Sequence, residues 1–164
     1  MLLSEVFLPE FMNCDLKGCT KDEVFEEMVD QFCLISKKNI KKEVIAALQE
    51  REARMSTGVQ HGIAIPHGKT AVIDGVFGIL GVSKQGVDYG SLDGKRVHLI
   101  LMILAPPVEA GTHLHILQQM ANFLRKPSFY TDVVNAKDGE TVYAFLKSYE
   151  DLELDAGKSS RPST

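Results

Sequence analysis

The sequence predicts an α/β fold in which a mixed β-sheet carries helices packed on both faces. Apolar residues recur at helical spacing early in the chain, two apolar segments near its middle read as strands, and helical spacing returns after them. Helices on both sides of the strands in sequence point to helices on both sides of the sheet in space.

Thr20 and Glu23 have the spacing of a capping box, after which Val24, Phe25, Met28, Val29, Phe32 and Cys33 repeat at helical intervals to about Ile35. A second helix is expected after Asn39, with Ile40, Val44, Ile45, Ala47 and Leu48 apolar, running to about Arg54 with Arg51 and Glu52 in its last turn. Between Met55 and Lys69 the periodicity stops and small, glycine-punctuated residues take over, so backbone geometry matters there more than packing. Val76 to Val82 and Val97 to Leu104 read as strands, the second so apolar that it belongs at the centre of the sheet. Leu92, Asp93, Gly94 and Lys95 make a tight turn before it.

Ala105, Pro106 and Pro107 end that strand, and Leu114, Leu117, Met120, Ala121 and Leu124 mark a third helix. Two more helical stretches are expected, at about Phe129 to Asn135 and Glu140 to Glu150. From Asp151 the chain is polar without an apolar period, so residues 1–150 are expected to form one domain and residues 151–164 a disordered tail.

The 164 residues are 45% hydrophobic and 24% charged, enough for one core. Their net charge of -4, from 18 basic against 22 acidic residues, supplies no overall cationic field for nucleic acid or an anionic membrane. The longest apolar run, Val97 to Val108, contains His98 and two prolines and falls short of the roughly 20 residues of a membrane helix, so direct membrane insertion is not expected. The start, MLLSEVFLPEF, has no basic region and carries Glu5 and Glu10, unlike a secretory signal, so a cytoplasmic location is expected. Cys14, Cys19 and Cys33 show no CxxC spacing and read as reduced thiols.

The stretch from Gly62 to Lys69, GIAIPHGK, places His67 between Pro66 and Gly68 at the end of a short apolar segment. Pro66 restricts its own φ and the conformation of Ile65, while Gly68 permits close approach of another backbone. A neutral imidazole is a nucleophile near physiological pH, and one ring nitrogen can be oriented by a hydrogen bond while the other attacks. A turn histidine that merely caps a strand is the competing reading, and residue chemistry by itself leaves both open.

ERE at Glu50 to Glu52, STG at Ser56 to Gly58, GIAIPHGK, SLDGKRVHLILMILAPP and HLHILQQMA together resemble the IIA domain of the fructose/mannitol phosphotransferase family over about residues 1–150. The resemblance implies a phosphohistidine carrier that accepts phosphate from the histidine phosphocarrier protein HPr or its nitrogen-branch relative. Sugar-specific members pass it to a cysteine on a IIB domain, and regulatory members act on a target protein. It implies that His67 is phosphorylated, that His113 is the second active-site histidine facing it, and that Arg51 supports the phosphate or the loop. No cofactor or metal is implied. The two histidines would bring the strand-end loop against the N-terminus of the third helix, whose free N–H groups suit a phosphoryl anion. No fused IIB or membrane domain is expected from these residues, which fits a free-standing nitrogen-branch protein somewhat better and leaves a separate sugar subunit open.

Ser56 and Thr57 are candidate phosphate-binding hydroxyls, with capping of the neighbouring backbone as the alternative. His61 and His98 read as ordinary surface or packed histidines. His113 and His115 do not make a metal pair, because residues two apart on a helix do not share a face. Lys37, Lys38, Lys41 and Lys42 form a basic cluster that reads as a solvated face or an aid to docking an acidic partner. A hydrolase using Ser56, His67 and an aspartate lacks both a GxSxG elbow and an identifiable acid.

Overall fold

The computed structural model describes residues 1–159. The chain opens with one helical turn, α1 (Leu3–Val6), a 3₁₀ turn at Pro9–Phe11 and strand β1 (Met12–Asn13). Helix α2 (Lys21–Ser36) starts where Thr20 Oγ1 accepts from Glu23 N at 3.3 Å. Glu23 reaches back one residue further than a capping box requires, its Oε2 accepting from Cys19 N at 2.7 Å. Then follow α3 (Lys41–Glu52), β2 (Ile63–Ala64), β3 (His67–Lys69), β4 (Phe77–Val87) and β5 (Val97–Ala105). Helices α4 (Ala110–Leu124), α5 (Pro127–Val134) and α6 (Gly139–Ser159) complete the fold.

The sheet is mixed. Its order is β1-β4-β5-β2, with β3 also on β5, and only the β4–β5 pair is antiparallel. Side chains alternate between the faces along each strand, and β5 shows the result. Leu99, Leu101 and Ile103 pack with Leu3, Ile116, Phe123, Phe129 and Leu146 of α1, α4, α5 and α6. Ile100, Met102 and Leu104 pack with Phe25, Met28, Phe32, Val44 and Leu48 of α2 and α3. The chain therefore buries β5 on both sides, as its apolar composition requires.

Strands β2 and β3 hold one register along the edge of β5: Ile63 lies opposite Leu99 and His67 opposite Ile103, and 99 − 63 = 103 − 67. Pro66 interrupts them without breaking that register, since its carbonyl still accepts from Ile103 N at 3.0 Å. The alternation that buries Ile63 on the α4 side turns His67 the same way and turns Gly68 toward α3.

Two expectations are corrected. Strand β4 continues past Val82 to Val87, through a register shift and a glycine, Gly86, at φ +85°. The disordered tail expected from Asp151 is helical as far as Ser159, and the rest of that expectation, residues 160–164, lies outside the described residues. Once Val142 and Leu146 anchor α6 in the core, each added turn costs little, and Lys126 Nζ pairs with Glu153 Oε1 at 2.9 Å beyond the anchored part.

Candidate active site

His67 sits at the start of the edge strand β3, half-buried. Its Nδ1 lies 2.8 Å from the carbonyl oxygen of Ile65, and Arg51 Nε lies 3.2 Å from its Nε2. A carbonyl only accepts and a guanidinium only donates, so together these contacts require a proton on Nδ1 and a bare lone pair on Nε2. Burial holds the ring below the ordinary imidazole range, with the Ile65 hydrogen bond opposing it and the Arg51 charge adding to it. The neutral ring thus presents one oriented nucleophilic nitrogen.

Arg51 belongs to α3, on the other face of the sheet, and reaches round the open edge beside β3. A second bond, from Nη1 to Met55 O at 2.8 Å, holds the guanidinium in place. Across the cleft His113, in the first turn of α4, is buried with its ring centroid 5.3 Å from that of His67, and the planes are inclined at 50°. Burial, with contributions from His67 and Lys69, pushes His113 down to about 4. Its Nε2 is buried without a hydrogen-bond partner among the described residues. Such an atom is costly unless it meets a donor or acceptor in function.

The cleft containing these groups has a volume of about 610 Å³. Arg54, Lys69 and Glu50 also line it, together with Ala110 at the N-terminus of α4. Arg54 pairs with Glu50 at 3.5 Å, which leaves Arg51, Lys69 and a helix N-terminus as the groups that would suit an anion. Among the described residues no three His, Cys, Asp or Glu side chains are grouped as metal ligands. No helix among them is long and apolar enough to cross a membrane.

Residues 5–149 match the family described as the phosphoenolpyruvate-dependent sugar phosphotransferase system, EIIA 2. The chain belongs to this family. It is 31% identical over 150 residues to a fructose-specific EIIABC component of the phosphotransferase system from Bacillus subtilis, covering 92% of this chain and only 24% of that protein. It is 28% identical over 146 residues to a nitrogen regulatory protein of Bradyrhizobium diazoefficiens, covering 89% and 95% of the two chains. The crystal structure of the nitrogen regulatory protein IIA-Ntr from Neisseria meningitidis superposes with a TM-score of 0.80 at 28% identity, covering 88% of this chain and 98% of that one.

Of the residues that the sequence marked, this EIIA domain brings Arg51, His67 and His113 together and leaves Ser56 and Thr57 outside the cleft lining. Of the two readings open for Ser56 and Thr57, phosphate binding and capping of the neighbouring backbone, the bonds they make are of the second kind. Ser56 Oγ accepts from Gly58 N at 3.2 Å, and Thr57 is buried, its hydroxyl 2.6 Å from Glu52 Oε2. Both hydroxyls serve the loop's own backbone and its support. His61 stands at φ +57° in a turn, and His98 Nδ1 bonds Ser83 O at 2.8 Å. His115 bonds Gln119 on its own helix, away from His67. In the lysine cluster, Lys38 pairs with Asp74, and Lys41 with Glu26 and Asp30.

Sequence reasoning missed Lys69, Arg54 and Glu50 as members of the cleft. Lys69 was within reach of it, lying two residues beyond His67 on the same short strand.

Proposed function

We propose that this EIIA domain carries phosphate on His67 in a nitrogen-regulatory relay. Nε2 of His67 attacks the phosphorus of a phosphohistidine on HPr or its nitrogen-branch relative, the donor's P–N bond breaks, and the donor imidazole, already protonated on its other ring nitrogen, leaves neutral while His67 keeps its Nδ1 proton. Arg51, Lys69 and the N-terminus of α4 offset the charge of the transferred group, and His113 Nε2 gains a partner in a phosphoryl oxygen. The observation that carries this reading is the pair of hydrogen bonds that leaves Nε2 as the unprotonated nitrogen of His67, its lone pair accepting from Arg51 Nε until that guanidinium moves onto the incoming phosphoryl group. The state of His67 then governs which target protein the domain binds.

The test is labelling by a phosphorylated donor of each branch. The expected product is an acid-labile, base-stable phosphoramidate that is absent from His67→Ala. Undiminished labelling of that variant overturns the reading.

The likeness to a fructose-specific component supports a second reading, in which the same histidine passes phosphate to a cysteine of a IIB domain. Rapid discharge onto such a domain, with preference for HPr over the nitrogen-branch donor, selects it.

A further inference from the structure

We propose that Glu52 is a positioning residue, which sets the tautomer and aim of His67 through the loop between them. Glu52 is the last residue of α3, next to Arg51, and its side chain is 7% exposed. Oε1 accepts from Thr57 N at 2.9 Å and from Lys21 Nζ at 3.1 Å, while Oε2 accepts from Thr57 Oγ1 at 2.6 Å. The hydroxyl of Thr57 has one proton, and the carboxylate takes it. Tyr89 OH, 2.7 Å from Thr57 Oγ1, therefore donates its own. Burial and the Glu52 charge push the Tyr89 phenol far above its ordinary range, so it keeps that proton.

What Thr57 holds explains why this buried network matters. Thr57 O accepts from Ile65 N at 3.0 Å, and Ile65 O is the acceptor for Nδ1–H of His67. Residues 57–65 thus form a small hairpin closed at its base by Thr57 and Ile65. Gln60 O accepts from Ile63 N at 3.3 Å at its tip, where His61 and Gly62 both have positive φ. Met55, whose carbonyl holds Arg51, lies in the short segment between Glu52 and Thr57. One carboxylate therefore anchors the segment that carries both constraints on the ring, the acceptor for Nδ1 and the clamp on the donor to Nε2. A displacement of about 1 Å in such a frame is enough to cost up to about 100-fold in rate.

The kinetic arm of the test rests on His67 being the phosphoryl acceptor; the spectroscopic arm does not. Glu52→Ala, Glu52→Gln, Thr57→Val and Thr57→Ser are compared by the ¹⁵N shifts of the His67 imidazole and by single-turnover phosphoryl uptake at varied donor concentration. Wild type is expected to show protonated Nδ1 and bare Nε2. Glu52→Ala should give a mixed tautomer signature and a saturating rate at least about tenfold lower, at unchanged half-saturation. Glu52→Gln keeps an acceptor for Thr57 N–H and should recover most of both, as should Thr57→Ser. A folded Glu52→Ala protein with wild-type shifts and rate overturns the proposal. If Glu52→Ala does not fold, Thr57→Val carries the same comparison, and wild-type shifts there overturn it. If His67 takes no phosphate in wild type, the shifts alone decide.

Discussion

Arg51 and His67 come from opposite faces of the sheet and meet at its edge, with Nε of the one 3.2 Å from Nε2 of the other. On the proposed role, the contact would make Arg51 both a guard of the Nε2 lone pair and, after transfer, a cation beside the phosphoryl group. Lysine keeps the charge but lacks the planar fork that binds ring and Met55 carbonyl together. Arg51→Lys is therefore expected to slow single-turnover uptake by about 10- to 100-fold, in line with roughly 1.5–3 kcal/mol for a charge-assisted hydrogen bond. An unchanged rate would leave Arg51 a bystander.

His113 should act as a hydrogen-bonding partner of the transferred group. A donor aimed at developing charge is worth about 10²- to 10³-fold in rate, the loss expected for His113→Ala, with labelling still confined to His67. His113→Gln should recover part of it. Wild-type uptake and discharge by the alanine variant would remove His113 from the chemistry.

The same histidine links pH to stability. Its folded value of about 4 lies below the ordinary 6.5, so between the two the unfolded chain binds the extra proton and folding is penalised. Stability is complete above about 6.5 and falls as pH drops toward 4, by up to about 3 kcal/mol from this residue. Denaturant melts at stepped pH should therefore show a shallower acid limb for His113→Gln than for wild type. Parallel limbs would contradict the assignment.

Gly68 lies where β3 meets α3, and a Cβ there would stand 3.1 Å from the backbone carbon and the Cβ of Ala47. Gly68→Ala should push the strand off the helix and carry His67 away from Arg51. The expected result is a folded protein whose phosphoryl uptake falls more than its stability does. The measurement pairs a thermal melt with the single-turnover rate.

Glu150 is buried, and its Oε1 accepts from Ser4 N at 3.0 Å, tying α6 to α1. Glu150→Ala leaves that buried N–H without its partner and should cost about 1–3 kcal/mol. Deleting residues 151–164 removes the partly exposed Lys126–Glu153 pair, an interaction worth about 0–1 kcal/mol, and should cost little. Equilibrium unfolding of both variants checks the order, and a reversal would place the anchor of α6 beyond Glu150.

Much of this was legible from residue pattern alone. The spacing of Val24, Phe25, Met28 and Phe32 marked α2, and the unbroken apolar run from Leu99 to Leu104 marked the central strand. Strands β1 and β2, two residues each, are too short to show any period. The polarity of residues beyond Asp151 was read as disorder, but a helix already seeded in the core needs no apolar stripe to run on. At the site, spacing isolated His67 yet could not separate a nucleophile from a turn histidine. The contacts that support the first reading, the Ile65 carbonyl on Nδ1 and an arginine reaching round the sheet to Nε2, are created by folding. The two readings of Thr57 stayed open because a hydroxyl that bonds a buried carboxylate and one that faces a ligand look alike in sequence.

The shared register of β2 and β3 bears on solubility as well as on chemistry. An unpaired sheet edge invites a stray strand from another molecule to add to it. Here the outward groups of Ile65 are already taken, its N–H by Thr57 and its carbonyl by the imidazole, and Pro66 has no N–H to offer. The imidazole spends Nδ1 on this duty, so on the proposed role, with Nε2 used for exchange, the ring would be loaded and unloaded without reopening the edge. Resistance to aggregation should therefore be the same in both states of His67, and variants that loosen the Ile65 bond should aggregate sooner even with the core intact.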